Sequence, residues 1–174
     1  MDDDGLKLAA MDADDLAVLS AHLQDAVLKR SDMRFVAGRH RFGLVCNRFD
    51  WLDAARNENG GWRGRIGRLF GRAPRYRRRR ASLVVDHVVE AAQTGFTSAD
   101  PDAVLNLLSV AFSPLEGSED GLEAPEHARG HVILTFAGGG RVRLAVDCVE
   151  ARLADEGPAW ATRARPRHSA AASR

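Results

Sequence analysis

The sequence is poor in several features that would have announced a function. It has two cysteines, Cys46 and Cys148, with no CxxC pair and no Cys/His cluster at zinc spacing, so neither a disulfide framework nor a structural zinc module is indicated. Both thiols read as small buried hydrophobes, the other reading being a redox or nucleophilic role. No apolar run approaches the ~18–20 residues of a membrane helix. The opening MDDDG is acidic where a secretory signal would be basic and then apolar, which points to the cytoplasm. Catalytic signatures are lacking as well. None of His22, His40, His87, His127, His131 and His168 stands in an HExxH, and there is no GxSxG elbow. Gly138-Gly139-Gly140 lacks the GxxxxGK[ST] spacing and the following helix of a phosphate loop. His127 and His131 have helical spacing, but Gly130 and the loop composition argue against the helix that would join them at a metal. The expectation is no catalytic residue, no metal and no cofactor. The alternative is an enzyme whose site only geometry would reveal.

What is present is a globular composition over 174 residues, 45% hydrophobic and 28% charged, which suits one domain with its own core. The formal net charge of +1 conceals an asymmetry: Arg56 to Arg80 holds ten arginines and one acid, Glu58, so the rest of the chain is acidic. Patterning divides the chain further. Asp12 reads as the N-cap of a helix over 12–23, with Leu16, Leu19 and Leu23 as its single apolar stripe. Residues 25–51 alternate as two strands about a turn at Ala37-Gly38-Arg39-His40. Residues 79–92 read as one strand with His87 on its apolar side. Residues 104–112 are apolar enough for a strand or a short buried helix, and Val110 to Pro114 favours strand. The clearest signal is a hairpin over 131–147, turning at Gly138-Gly139-Gly140. Residues 148–156 favour a short helix stopped by Gly157-Pro158.

Together these predict an α+β domain over 6–162: an antiparallel sheet of about six strands, curled or barrel-like, with an N-terminal and a C-terminal helix. A Gly/Arg-rich insertion at about 53–78 and an acidic loop at 115–130 interrupt it, both expected to be mobile. A disordered tail over 163–174 ends the chain.

Several segments taken together, LSAHLQDAVLK (19–29), CNRFDW (46–51), RRRRASLVVDHV (77–88) and the stretch 135–168, resemble an uncharacterised bacterial family of small cytoplasmic proteins, a domain of unknown function. The resemblance runs from about Leu6 to His168. It implies one domain with no assigned activity and no family site residues to carry over. It is weakest over 59–76.

Function is therefore weighed from the residues. Arginine pairs bidentately with phosphate and aromatic rings stack on bases, so Arg63, Arg65, Arg68, Arg72, Arg75, Arg77, Arg78 and Arg79, with Trp62 and Tyr76, are the candidate polyanion-binding residues. The partner would be nucleic acid or an anionic membrane surface. The favoured reading is a small non-enzymatic binding or adaptor module. A solvated arginine loop, partly neutralised by the acidic loop, is the plainer account of the same residues, and a sheet edge pairing with another protein is a further alternative.

Overall fold

Apolar alternation organises one antiparallel sheet in the computed structural model, which describes residues 5–51, 54–55, 76–115, 129–162 and 166. In chain order its elements are β1 (Lys7–Ala10), α1 (Ala13–Leu23), β2 (Ala26–Lys29), β3 (Met33–Val36), β4 (Arg41–Phe49), β5 (Tyr76–Val85) and β6 (Val88–Thr94). There follow β7 (Val104–Pro114), β8 (Gly130–Phe136), β9 (Arg141–Val146), β10 (Ala151–Asp155) and β11 (Trp160–Thr162). The sheet runs β1-β10-β5-β4-β2-β7-β8-β9-β6, with β11 added to β5 and β3 added to β4.

β2 joins two runs of strands, pairing with β4 on one side through Val27 and Asn47 and with β7 on the other. The chain passes from one run to the other at Asp86-His87, where His87 takes a left-handed φ of 58°. That corner is stitched by backbone bonds: the Asp86 amide donates to the Glu150 carbonyl, the Val88 amide to His40, and the Asp147 amide to His87.

Both runs turn their apolar side inward. Phe42, Leu44, Leu83, Leu107, Leu134, Phe136, Leu144 and Leu153 are buried in one core. Helix α1 covers it with Leu16, Leu19 and Leu23, the stripe legible in the sequence. Asp12 caps this helix as its position suggests, accepting from the Asp15 amide at 2.7 Å, while the Asp15 carboxylate accepts from the Met11 amide. The Ser20 hydroxyl accepts from the Val110 amide at 2.8 Å, close to the irregularity in β7–β8 pairing between Leu107 and Ser109. It satisfies a buried donor near the bulge.

The expected α+β architecture is overturned. Strand makes up 56% of the described residues, in eleven strands rather than about six, with one helix, and the sheet does not close. Strands β1 and β11 fall where no strand is expected from the sequence, and three local readings account for the rest of the difference. Residues 148–156 form no C-terminal helix. Ala151 and Leu153 point inward and Arg152 outward from β10, which is paired on both sides by β1 and β5. For so short a segment, two flanking strands outweigh a helix propensity of tenths of a kcal/mol per residue. Residues 79–92 are two strands, because the left-handed turn at His87 sends the chain into the other run. Residues 25–51 hold three strands, the first being β2, whose Ala26, Val27 and Leu28 are apolar in succession and so hide the alternation of its burial. The hairpin at 131–147 stands as β8 and β9, with Gly138 and Gly139 at positive φ, and residues 104–112 lie in β7. Most of the Gly/Arg-rich insertion and the acidic loop, His127, and the tail apart from Pro166 lie outside the described residues. Among the described residues no helix is long and apolar enough to cross a membrane.

Candidate functional site

Alternation along β4 and β5 sorts their arginines onto two faces. The pairing Arg48↔Arg79 puts those two on the inner face, and Phe49↔Arg78 and Asn47↔Arg80 put Arg78 and Arg80 on the outer one. The two faces differ in chemistry.

On the inner face the apolar ladder gives way to charge after Cys46. Arg48 makes a bidentate pair with Asp155, Nε and Nη2 each donating at 2.7 Å. Both side chains are almost fully buried, at 3% and 1% exposure. The second Asp155 oxygen also accepts from the Leu6 amide at 2.7 Å, which ties β10 to the start of β1. Arg79 donates from Nε to Asp50 at 3.2 Å and lies 3.8 Å from Asp155. Two cations thus face two anions, as the interior requires of buried charge. His22 of α1 is close enough to feel this group. Burial pushes its pKa below the ordinary 6.5, the Arg48 charge pushes the same way, and Asp50 and Asp155 oppose both. Beside Arg48, burial raises the Cys46 thiol to about 12, which makes it a packed hydrophobe rather than a nucleophile.

The outer face of β3, β4, β5 and β10 is open over its middle, while Phe49, Ala54 and Tyr76, with Trp51 against them, form a small buried cluster where β5 begins. Register aligns Arg34, Gly43, Val84 and Arg152 in one row across four strands. The next row is Val45, Ser82, Ala154 and Lys7. The centre of both rows is small, and a groove of about 260 Å³ lies over Gly43, Val45, Ser82 and Val84, with Arg34, Arg41 and one acid, Asp32, in its wall. Gly43 needs no special backbone: register is continuous on both sides of it, and an added Cβ would meet only the Leu83 carbonyl oxygen at 3.9 Å.

Cationic side chains surround this floor. Lys7, Arg34, Arg41, Arg80 and Arg152 are exposed, and Arg78 is half-buried with its guanidinium 6.0 Å from the centre of the Phe49 ring. Asp86 organises one end. It pairs with Arg41 Nε at 2.5 Å through one oxygen and with Arg152 through the other. Beyond it, His87 Nε2 pairs with Glu150 at 2.8 Å.

The candidate residues named from sequence are thus dispersed. Trp62, Arg63, Arg65, Arg68, Arg72 and Arg75 lie outside the described residues. Tyr76 is buried on the outer side against Phe49, ring centroids 5.5 Å apart, so its ring packs rather than stacks on a ligand. Arg79 is buried in the inner ion pairs, Arg77 is exposed, and Arg78 belongs to the outer face. Sequence reasoning missed Arg34, Arg41, Arg152 and Lys7, which are scattered along the chain and meet only through pairing. The signal for Arg34 was its place between Met33 and Phe35, which already set it on the wet side of a strand. Among the described residues no group of three His, Cys, Asp or Glu side chains could hold a metal.

No curated protein and no solved structure matches the chain. A family model does, over residues 6–168, and with that span the chain belongs to the protein family of unknown function DUF2948.

Proposed function

We propose that the protein is a binding module that takes a phosphate-bearing polyanion on the outer face of β3, β4, β5 and β10. One observation carries this reading: Arg34 and Arg41 line a groove floored by small residues, and register sets Arg152 in the same row and Arg80 further along β5 on the same face, so phosphate can come close to several guanidinium groups. The segment containing Arg56 to Arg75 leads directly into β5, whose Arg78 and Arg80 face the same way.

The test is equilibrium binding of the purified chain to labelled single-stranded DNA, RNA and anionic phospholipid vesicles at two salt concentrations. A variant carrying Arg34→Gln, Arg80→Gln and Arg152→Gln is run beside it, as is a chain with residues 59–75 replaced by a neutral linker. Binding should weaken with salt, and the triple variant should lower the logarithmic salt slope by about one for each phosphate it no longer neutralises. The ligand that wins gives the source of the phosphate. Loss of binding with the linker chain alone would place the binding surface in the segment instead of the face. No binding by the intact chain at low salt would end the proposal.

A further inference from the structure

We propose that the polyanion is a single-stranded nucleic acid, and that one base stacks on Trp160. This rests on the outer face being the binding surface and names its ligand class. Trp160 stands opposite Arg78 in the β11–β5 register, so its side chain joins the outer face at the end away from the Arg34 row. It is 42% exposed, the one aromatic among the described residues that reaches the exposed class. The neighbouring rings are spoken for: Phe49 is buried, Tyr76 is nearly so, and Trp51 packs on Phe49 at 4.6 Å between centroids and donates to the Gln24 carbonyl.

An exposed indole beside guanidinium groups meets the two needs of a single strand, a π-face for a base and cations for its phosphates. The spacing suits a chain-like ligand. From Arg78 to Val84 the strand covers roughly 20 Å at about 3.3 Å per residue. Along that line the outer positions are Arg78, Arg80 with Asn47 beside it, Ser82, and Val84 in the row flanked by Arg34 and Arg152. Cations thus recur along one path, and the small side chains between them leave room for bases to lie on the sheet.

Other sources of phosphate fit less well. Duplex bases are already stacked and offer no face to an indole. An anionic membrane would reward a broad protruding apolar surface. Here the apolar side chains of the floor, Val45 and Val84, are half-buried in the groove, and Val36 at its edge is the other large hydrophobe in the exposed class on this face.

The experiment compares an oligothymidylate, a duplex of equal length, inorganic polyphosphate and phosphatidylserine vesicles as ligands for the full chain. Trp160→Ala and Trp160→Phe are run beside the unaltered protein, with circular dichroism and melting temperature checked for each. The expected result is that Trp160→Ala weakens oligothymidylate binding by roughly 5- to 150-fold, the range for loss of one stacked base. Trp160→Phe should retain most of the affinity. Polyphosphate binding should be the same in all three proteins. Tryptophan emission should be quenched by the oligonucleotide and much less so in Trp160→Phe. If polyphosphate binds but Trp160→Ala binds the oligonucleotide as well as the unaltered chain does, the stacking inference falls and the polyanion reading stands. Preference for duplex or vesicles has the same meaning. If none of the four ligands binds, both fall together.

Discussion

Strands β4 and β5 carry the same residue type on two faces with opposite consequences. Arg48 and Arg79 point inward, lose their water and are held by Asp155 and Asp50. Arg80 and Arg34 point outward and stay exposed beside a floor of small residues. The difference between Arg79 and Arg80 is one step along a strand. A count of arginines places both in one basic run, whereas the period of two assigns one to the architecture and the other to a surface.

The largest expected effect lies on the inner face. Arg48→Met strands the Asp155 carboxylate with the more distant Arg79 and the Leu6 amide, and loss of one partner in a buried pair costs about 3–5 kcal/mol. Urea unfolding should show the midpoint falling with an unchanged slope. Replacing both partners, Arg48→Met with Asp155→Leu, should recover part of the loss, because it removes the desolvated charge along with its counter-charge. If the single variant is as stable as the parent, the inner pair is no more structural than the outer arginines and the contrast between the faces fails.

Two glycines sharpen the contrast at the next level. Gly130 in β8 lies under Phe112, where an added Cβ would fall 2.4 Å from the Ser113 carbonyl oxygen and 2.5 Å from the ring. Gly130→Ala should cost about 1–3 kcal/mol, since strand and ring must both move. Gly43→Ala meets no such obstacle, and removing backbone freedom from the unfolded chain should leave the protein equal or more stable by about 0.4–1 kcal/mol. Gly43→Leu should fold and yet weaken polyanion binding by filling the groove. Thermal melts beside binding titrations check all three, and retained affinity in Gly43→Leu would show that the groove floor is not where the ligand sits.

A smaller stability effect belongs to the outer arginines. Arg80→Gln should change stability by no more than about 0.5 kcal/mol, as surface positions do, while lowering the salt slope of binding by about one. A destabilised Arg80→Gln would mean that its guanidinium helps hold the sheet together.

How much of this was legible before the structure depends on how local the determinant is. The helix of 13–23 was readable, because its cap and stripe lie within one element. So was the β8–β9 hairpin, where alternation and the glycine turn are contiguous. Strand β10 was misread as helix because its conformation is imposed by β1 and β5, both distant in sequence. The candidate face was half legible. Arg78 was named through its place in the basic run, but Arg34, Arg41 and Arg152 come to one face only through the β3–β4–β5–β10 register. The burial of Arg79 likewise depends on Asp50 and Asp155, brought to it from two other places in the chain.

The smallest effect joins the inner face to pH. His22 feels the charges of the ion pairs, and its pKa is held below 6.5, first by burial and then by the Arg48 charge. A base that is harder to protonate in the folded state binds fewer protons there than in the unfolded chain. Its contribution is therefore neutral above 6.5 and becomes destabilising as the pH falls from 6.5 towards the lower folded value. Melting temperature should drop over that window in the parent protein and drop less in His22→Gln, which keeps a polar side chain without the titration. Since carboxylates titrate lower still, the informative quantity is the difference between the two curves between about pH 7.5 and 5.5. Parallel curves would mean that protonated His22 is tolerated beside Arg48. In that case Asp50 and Asp155 reach it more strongly than burial does, and the inner face holds its charges less tightly than the geometry of Arg48 and Asp155 implies.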